Sequence, residues 1–312
     1  MNFSLLLYGI IQVLLVPTLA PLMIGMTRKC KALMQNREGA SIFQPYRDLW
    51  KLFHKDEVIS HDASWIFLAA PYGIFGIMIA LGASIPLITT AFPNMFTSDF
   101  LLVVYLLAFA TFFLALTGID TGAGFGGFGA SREMMVASLT EGGLVLSLFT
   151  LSFIAGTTNL FGIAANHSIS LPLDHATPML LAFIGFVICL LAETKRFPFD
   201  NPATHLELTM IHEAMILEYS GKRLALIEWA AWAKYLIFIA LGANLFFPAG
   251  LSSSLSLGAI IPALVVFILK TFLFCLGIAL IESTTAKLRI FRLPDLLFSS
   301  FVINIIAIAL VF

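Results

Sequence analysis

Charged residues are scarce in this sequence: Asp, Glu, Lys and Arg make up only 11% of its 312 residues. Soluble domains are nearer a quarter charged, because a core of apolar residues needs a charged shell around it. This chain is 60% hydrophobic, with a mean hydropathy of +0.98, and it has too few charged residues to build such a shell. The composition therefore predicts a protein whose solvent is lipid.

Cysteine is also rare, and neither sign of charge is in excess. Cys30, Cys189 and Cys275 lie in or beside predicted membrane helices and lack the spacing of metal ligands, so neither a disulfide framework nor a zinc site is expected. A net charge of −1 provides no general attraction for nucleic acid. The first 26 residues lack a basic segment and a small-residue cleavage site, which predicts a retained first helix rather than a signal peptide.

Long apolar runs, in contrast, are abundant. Eight of them reach the roughly 20 residues that a helix needs to cross the hydrocarbon core. They cover about 3–26, 65–90, 99–119, 132–156, 175–196, 226–248, 257–282 and 293–312. The sequence shows no fixed-period repeat and no low-complexity segment. It therefore predicts an all-α, polytopic membrane protein with eight transmembrane helices in a single domain, 1–312.

Lys and Arg are absent from every second connection between these runs. The connections without them are 91–98, 157–174 and 249–256. Fifteen of the 17 basic residues lie in the other connections, which are 27–64, 119–132, 195–225 and 283–292. Basic loops stay in the cytoplasm, so both termini are expected on the outer side of the membrane.

The first basic connection contains an amphipathic segment, 41–58. Arg47, Asp48, Lys51 and Lys55 occupy one face of a helix built on this segment. The other face carries Ile42, Phe43, Tyr46, Leu49, Trp50 and Phe53. The pattern favours a helix lying in the membrane interface or under a partner subunit, with a solvated linker as the alternative.

Three charged residues lie well away from the ends of the predicted spans, where a charge costs about 2.5–3.5 kcal/mol even on the lenient insertion scale. Glu141 lies in the fourth span beside two glycines, Lys234 in the sixth span and Lys270 near the middle of the seventh. A carboxylate at such a depth must be protonated, paired or hydrated, and a proton path has the same needs. Lys270 could instead pair with a carboxylate purely to satisfy its own charge.

Other charges lie at predicted helix ends. Glu193, Glu228 and Glu282 mark the cytoplasmic ends of the fifth, sixth and seventh spans, where they could simply reach towards water. The stretch 118–131 holds six glycines in 14 residues and is expected to be a bent turn. Arg132 and Glu133 would then open the next helix, with Glu133 near its positive end.

The connection 195–225 and its flanks are rich in carboxylates and histidines. Its acidic residues are Glu193, Asp200, Glu207, Glu213 and Glu218, and they are interspersed with Lys195, Arg196, His205 and His212. The pattern of 203–218 predicts a helix. A zinc site is not expected, because the HEAMI segment lacks the second histidine of a zinc-protease HExxH motif.

Three segments together resemble a known family. The run ETKRFPFDNP, followed later by EYSGKRLAL, is similar to the cytoplasmic loop of the NuoH-type membrane subunit of respiratory complex I. QNREGASIFQPYRDLWKLFHKDEV resembles the first loop of that subunit, and GASREMMVASLTEGGL resembles the segment that opens its fourth span. The resemblance covers most of the chain and implies the same eight-span layout.

Departures from the complex I pattern indicate a branch of this superfamily. Ala203 and His205 stand where complex I subunits have two further acidic residues, whereas Glu207 keeps the third. The stretch DNPATHLELTMIHEAMILEYSG is similar to the homologous subunits of energy-converting [NiFe] hydrogenases of the formate hydrogenlyase and hydrogenase-4 types. Ala40 and Ser41 replace the proline of the family's first loop, which weakens the carry-over of contacts made there.

The resemblance implies a non-redox membrane subunit that couples reactions in a peripheral arm to proton or sodium translocation. The implied partners are hydrogenase-like large and small subunits, an iron–sulfur subunit and antiporter-like membrane subunits in a bacterial or archaeal cytoplasmic membrane. Iron–sulfur clusters and a NiFe centre would be bound by those partners, and none by this chain. The expected ion-pathway residues are Glu141, Glu193, Asp200, Glu207, Glu213, Glu218, Glu228, Lys234, Lys270 and Glu282. The expected docking residues are Arg37, Arg47, Arg132, Lys195 and Arg196, on the surfaces 27–64 and 195–225.

Two alternatives remain open from the sequence. The chain could line a quinone chamber, between its first and fifth helices and a peripheral arm, in an NADH dehydrogenase-like complex. It could also be a secondary transporter or a standalone channel, but the inverted repeat typical of many transporters is not visible in its hydropathy.

Overall fold

The computed structural model describes residues 3–91, 98–169, 175–200 and 210–312. Within them, eight helical spans are long and apolar enough to cross a membrane, which confirms the predicted all-α, eight-span fold. The spanning helices are α1 (Phe3–Met34), α3 (Trp65–Ser84), α4 (Phe100–Asp120), α5 (Gly124–Ala155), α7 (Ala176–Glu193), α9 (Gly221–Leu241), α10 (Leu257–Thr284) and α11 (Leu293–Ala309). The sidedness of the termini remains a prediction from the basic loops.

Three shorter helices join these spans. They are α2 (Gln44–Phe53), α6 (Leu160–Ile169) and α8 (His212–Ile216). A π-helical turn, Gly242–Phe246, extends α9, and a 3₁₀ turn, Ile290–Arg292, precedes α11. Ion pairs join Lys31 near the end of α1 to Glu282 near the end of α10, and Lys195 just after α7 to Glu133 near the start of α5. Successive spans therefore run antiparallel, and their ends alternate between the two sides of the bundle.

Helix α9 is the centre of the bundle. Its segment from Tyr235 to Leu241 is buried on every face, with each side chain at most 1% exposed. A helix that is apolar all round is stable only when it is surrounded, and α1 and α3 pack along this one. The spans α4, α5, α7 and α11 continue the bundle beyond α3.

Helices α5, α7 and α11 are tied together by small residues and polar contacts. The Asn304 amide donates to the carbonyl of Gly143 at 2.8 Å, and the Ser300 hydroxyl donates to the carbonyl of Gly185 at 3.0 Å. Ser147 donates to the carbonyl of Ala182 at 2.9 Å. In lipid, close packing and such interhelical hydrogen bonds are what hold helices together.

The amphipathic helix expected in 41–58 is present as α2, which is shorter than that segment. Pro45 and Leu49 are buried against the bundle, where α2 packs on α1 and α9. Phe43 and Trp50, which were placed on the same apolar face, are 59% and 71% exposed. One part of that face is therefore covered by the bundle and the other part is left open.

The glycine-rich segment 118–131 was predicted as a turn, and that prediction is wrong. Only residues 121–123 separate α4 from α5, and the glycines from Gly124 onwards are helical. The reason is a helix crossing: a Cβ on Gly126 would lie 2.1 Å from the carbonyl oxygen of Gly118, so only glycine allows α4 and α5 to approach this closely. Arg132 and Glu133 therefore lie inside α5 and do not open it.

The predicted helix over 203–218 is only partly tested. Residues 203–209 lie outside the described residues, and so do His205 and Glu207. Within 210–220 the α-helix is confined to His212–Ile216. The prediction is therefore wrong at its end, because the chain leaves the helical conformation after Ile216 to reach Gly221, which has a φ of +54°.

Candidate functional site: a charged cavity at one end of the bundle

Many ends of the spanning helices meet on one side of the molecule. The carboxyl ends of α1, α4, α7 and α10 lie there, together with the amino ends of α3, α5, α9 and α11. Apart from Glu141, Lys234 and Lys270, the charged residues of the spans lie near their ends, so those at these ends are brought to one level. Polar contacts between distant segments, such as Lys31 with Glu282, follow from this arrangement.

A cavity of about 140 Å³ lies among these helix ends. Apolar side chains such as Ile74 and Leu114 form part of its wall. Its ionisable lining residues are Arg28, Glu133, Glu193, Lys195, Arg196, His212, Glu213, Glu228, Lys234 and Tyr235. A cavity needs roughly 10–15 Å³ to hold one water, so this one has room for a small cluster of water molecules.

Glu193 and Lys234 form a buried ion pair in the cavity wall, with 2.6 Å between Oε2 and Nζ. The same ammonium donates to the Thr111 hydroxyl at 3.0 Å. Glu141, on α5, lies close enough to both members of the pair to interact with them electrostatically. The structure thus brings together three of the predicted pathway residues: Glu141, Glu193 and Lys234.

A second buried pair joins Lys195 to Glu133, and it was not anticipated as a unit. Burial alone would lower the pKa of the Lys195 ammonium, but the carboxylates of Glu133 and Glu193 outweigh it and raise that pKa. Lys195 is therefore charged and connects the two carboxylates electrostatically. It lies just beyond α7 with a φ of +55°, a left-handed conformation that turns the chain sharply.

Glu282 accepts from two cations. Arg196 lies 3.1 Å from one carboxylate oxygen, and Lys31 lies 2.9 Å from the other. The Arg196 guanidinium also stacks over the Tyr235 ring, 4.6 Å from its centroid. This cluster joins α1, α9 and α10 to the end of α7, and it balances a carboxylate that is only 4% exposed.

Asp200 lies at the edge of this cluster, in the connection 195–225. Its carboxylate lies 2.7 Å from the ammonium of Lys287, and it also accepts from the backbone N–H of His212 at 3.4 Å. The pair links the connection after α7 to the one after α10. Asp200, a predicted pathway residue, is thus neutralised by Lys287, which served above only to orient the chain in the membrane.

Glu213 and Glu228 face the cavity close to Arg28. Burial and, to a smaller extent, the carboxylates of Glu228 and Asp200 together raise the pKa of Glu213 to about 7, although Arg28 opposes them. Glu213 is therefore poised to exchange a proton near neutral pH, unlike an ordinary surface glutamate.

Lys270 does not join this cavity. Its ammonium donates to the carbonyl of Phe247 at 2.5 Å and to Oδ1 of Asn244 at 3.3 Å, at the π-helical end of α9. Both partners are neutral, so the charge is satisfied by these two oxygen atoms and by the negative end of the helix. The expected series Glu141–Lys234–Lys270 is therefore not a continuous contact path among the described residues.

The remaining predicted residues are dispersed. Glu218 is exposed and does not line the cavity. Arg37 and Arg47 are exposed, as a docking role requires, whereas Arg132 donates to the carbonyl of Met210 at 2.9 Å. Lys195 and Arg196 are engaged in the internal ion pairs described above.

Sequence reasoning did not assign site roles to several residues in or beside the cavity. Arg28, Glu133 and His212 line the cavity, and Lys31 and Lys287 belong to the ion pairs beside it. One signal could have found Arg28, Lys31 and Lys287: all lie within a few residues of a span end on the side that also carries Glu193 and Glu282. For Glu133 and His212 the sequence held no such signal, because their positions depend on where α5 begins and on how the connection 195–225 folds back.

The comparisons with known proteins agree with this architecture. The chain is 33% identical over 295 residues to formate hydrogenlyase subunit 4 of Escherichia coli, covering 95% of each chain. It is 35% identical over 285 residues to hydrogenase-4 component C of the same organism, covering 91% of this chain and 89% of the relative. A subunit of the NADH-quinone oxidoreductase of Paraburkholderia phymatum is 27% identical, over 81% of this chain and 73% of the relative.

A solved structure shares the fold. A chain of the membrane-bound sulfane sulfur reductase, described as an archaeal respiratory membrane complex, superposes with a TM-score of 0.83 at 20% identity. The match covers 98% of this chain and 99% of the other. With eight apolar helices and relatives of this kind, the protein is a multi-pass membrane protein. Residues 7–312 match the NADH dehydrogenase family, and this chain belongs to that family.

Proposed function

We propose that the chain is the membrane-anchoring, ion-translocation-coupling subunit of an energy-converting hydrogenase or formate hydrogenlyase-like complex. It would work in the cytoplasmic membrane of a bacterium or archaeon. The observation that carries the proposal is the run of buried charges Glu133–Lys195–Glu193–Lys234, with Glu141 beyond it. A passive anchor has no need for such a run, and buried charges in membrane helices commonly mark ion paths.

The run has the physical properties that coupling needs. Two unit charges 4 Å apart interact by about 4 kcal/mol at an effective dielectric constant of 20, enough to change a proton affinity by about a thousandfold. A change of charge beside the cavity, driven by a redox event in a bound partner, would therefore be felt at Glu193. Glu141 lies eight residues after Glu133 on α5, about 12 Å deeper along the helix. A proton moving from the cavity to Glu141 would travel into the membrane.

Sequence identity favours a hydrogenase-type complex over a quinone-reducing one. Identity to the formate hydrogenlyase and hydrogenase-4 subunits is 33–35%, against 27% for the NADH-quinone oxidoreductase relative named above.

The proposed partners are those expected of such a complex: hydrogenase-like large and small subunits, an iron–sulfur subunit and antiporter-like membrane subunits. Iron–sulfur clusters and the NiFe centre would be carried by the partners. They would dock on the surfaces 27–64 and 195–225, where Arg37 and Arg47 are exposed. Identification of co-purifying subunits tests this, because a large subunit that retains both CxxC pairs indicates a hydrogenase and one that lacks them indicates another acceptor.

Glu141→Gln tests the translocation role directly. The amide keeps the size of the side chain but cannot carry a proton, so redox-driven ion pumping in inverted membrane vesicles should fall at least tenfold. Assembly of the complex and its redox activity with the membrane made permeable to ions should be retained. Glu38→Gln, at an exposed position, is the matched control and should pump normally. Unchanged pumping by the Glu141 variant would remove Glu141 from the mechanism.

A further inference from the structure

Two buried polar atoms of the cavity lack a hydrogen-bond partner among the described residues: Oε2 of Glu133 and Nδ1 of His212. Both residues line the cavity, and Glu133 is only 1% exposed. The other carboxylate oxygen of Glu133 is already engaged with the ammonium of Lys195. The two unpartnered atoms come from separate parts of the fold, α5 and α8.

An unpartnered buried polar atom costs about 1–3 kcal/mol, so two of them facing one cavity indicate a ligand that satisfies both. The ligand must donate a hydrogen bond to Oε2 of Glu133, because a carboxylate oxygen only accepts, and it can either donate to the imidazole nitrogen or accept from it. The cavity has room for a small cluster of waters. Water therefore fits the site in size and in hydrogen-bonding character.

The surroundings of His212 keep its imidazole neutral, and they make its proton affinity depend on the charges nearby. Burial lowers the pKa of His212, and the cations Lys195 and Lys234 lower it further. The carboxylates of Glu133 and Asp200 oppose this and raise it. These four groups come from α5, from the segment after α7 and from α9, so a change of charge in any of these three parts alters the proton affinity of the imidazole.

We propose that His212 and Glu133 hold a bridging water in the cavity and that His212 relays protons through it towards Glu133. This inference rests on the proposed function, and it adds an entry step to the run of charges that begins at Glu133. The imidazole Nδ1 takes a proton from a cavity water that has itself received one from the aqueous side. The imidazolium then returns the proton through the bridging water to Oε2 of Glu133, and the neutral imidazole is restored.

Protonation of Glu133 can act on Glu193, because the two carboxylates share Lys195. When Glu133 is neutralised, Lys195 loses one of its two carboxylate neighbours and is attracted more strongly to Glu193. The electrostatic interaction within the Glu193–Lys234 pair then changes, and this alters the field at Glu141. The relay thus links the cavity to the charges deeper in the membrane.

The test compares His212→Gln and His212→Gly in the assembled complex, in inverted vesicles energised by its own electron donor. We expect both variants to assemble and to retain redox activity with the membrane made permeable, while proton uptake falls at least tenfold. Added imidazole should restore proton uptake in the glycine variant. Pyrazole has the same ring size but is a far weaker base, and it should not restore it. His61→Gln, at an exposed position, should behave like the wild type.

Each contrary outcome identifies what fails. Equal restoration by pyrazole and imidazole, or normal proton uptake by His212→Gln, overturns the relay while leaving the proposed function in place. Failure of both variants to assemble also counts against it, because His212 would then have a structural role. Absence of redox-driven proton uptake in the wild type overturns the proposed function and the relay together.

Discussion

Single residues show how this protein tolerates charge in a membrane by two different means. Glu193 and Lys234 neutralise each other in a buried pair. Lys270 is stabilised without a carboxylate, because the π-helical turn that ends α9 leaves the Phe247 carbonyl free to accept from it. The Asn244 amide links the same turn to the carbonyls of Pro86 and Leu87. A role for Lys270 in ion movement remains a prediction, and its contacts are those of a helix terminus.

Glu213 should make the stability of the protein depend on pH. Its carboxyl has a pKa of about 7 in the folded protein and about 4.5 when free. Between these values the folded state holds a proton that the unfolded state has lost, so stability contributed by Glu213 falls as the pH rises from about 4.5 to about 7 and is constant above that range. The Glu213→Gln variant is neutral at every pH in this range, so its stability does not fall in this way.

Thermal unfolding in detergent from pH 4.5 to pH 8 measures the effect. The melting temperature of the wild type, relative to that of Glu213→Gln, should decrease through this range and level off near pH 7. Glu218→Gln, at an exposed position on the same connection, serves as the control. A difference that stays constant with pH would show that Glu213 titrates normally.

At the scale of secondary-structure elements, the crossing of α4 and α5 sets the position of the cavity wall. Gly118 and Gly126 let the two backbones touch, and Met215 of α8 packs against Gly118 and Gly129. The crossing therefore seats α8 against α5, which places His212 near Glu133. Glycines that sequence reasoning assigned to a flexible turn instead serve as contact points between helices.

Gly126→Ala should weaken this crossing. Its Cβ would lie 2.1 Å from the backbone oxygen of Gly118, and backbone cannot move aside as a flexible side chain could. We expect the free energy of unfolding to fall by about 1–3 kcal/mol, the usual cost of overpacking, with a lower melting temperature in detergent. Gly127→Ala is the matched control, since a Cβ there meets no atom within 4 Å and should be neutral or stabilising. Equal melting temperatures for the two variants would contradict the crossing.

At the scale of the whole molecule, the ion pairs of the described residues lie at one end of the bundle, and the charges there are used in two ways. Inside, the cations pair with Glu133, Glu193, Asp200 and Glu282. Outside, α2 presents an exposed arginine, Arg47, beside its exposed aromatic residues. The internal pairs hold the helix ends together, and the exposed surface is left for a partner.

Arg47→Glu should therefore impair assembly and leave the fold intact. Reversing an exposed charge costs the isolated chain little, but like charges at an interface cost several kcal/mol. Affinity purification of the chain should recover at least tenfold less of the peripheral subunits, with the melting temperature of the isolated chain unchanged. Lys222→Glu, an exposed cation at the start of α9, is the comparison. If both variants recover the partners fully, the docking surface lies elsewhere.

Residues near one another in sequence were predicted well, and residues brought together by folding were not. The spans and α2 follow from local hydropathy and periodicity, so both were recognised, and the membership of the complex I superfamily followed from contiguous motifs. The start of α5 was missed, because glycines are read as breakers unless the neighbouring helix that they accommodate is known. Glu133 was thereby placed at a helix end and left out of the site.

The sequence by itself determined that this chain crosses the membrane eight times and that it contains charges too costly to be incidental, because burial in lipid acts on each segment separately. Only the tertiary structure decided which of those charges meet. Glu193 pairs with Lys234, Glu133 with Lys195 and Glu282 with Arg196, and the two members of each pair lie far apart in the chain. Such pairing depends on how the helices pack, and packing is settled by glycine contacts and helix crossings that hydropathy does not record.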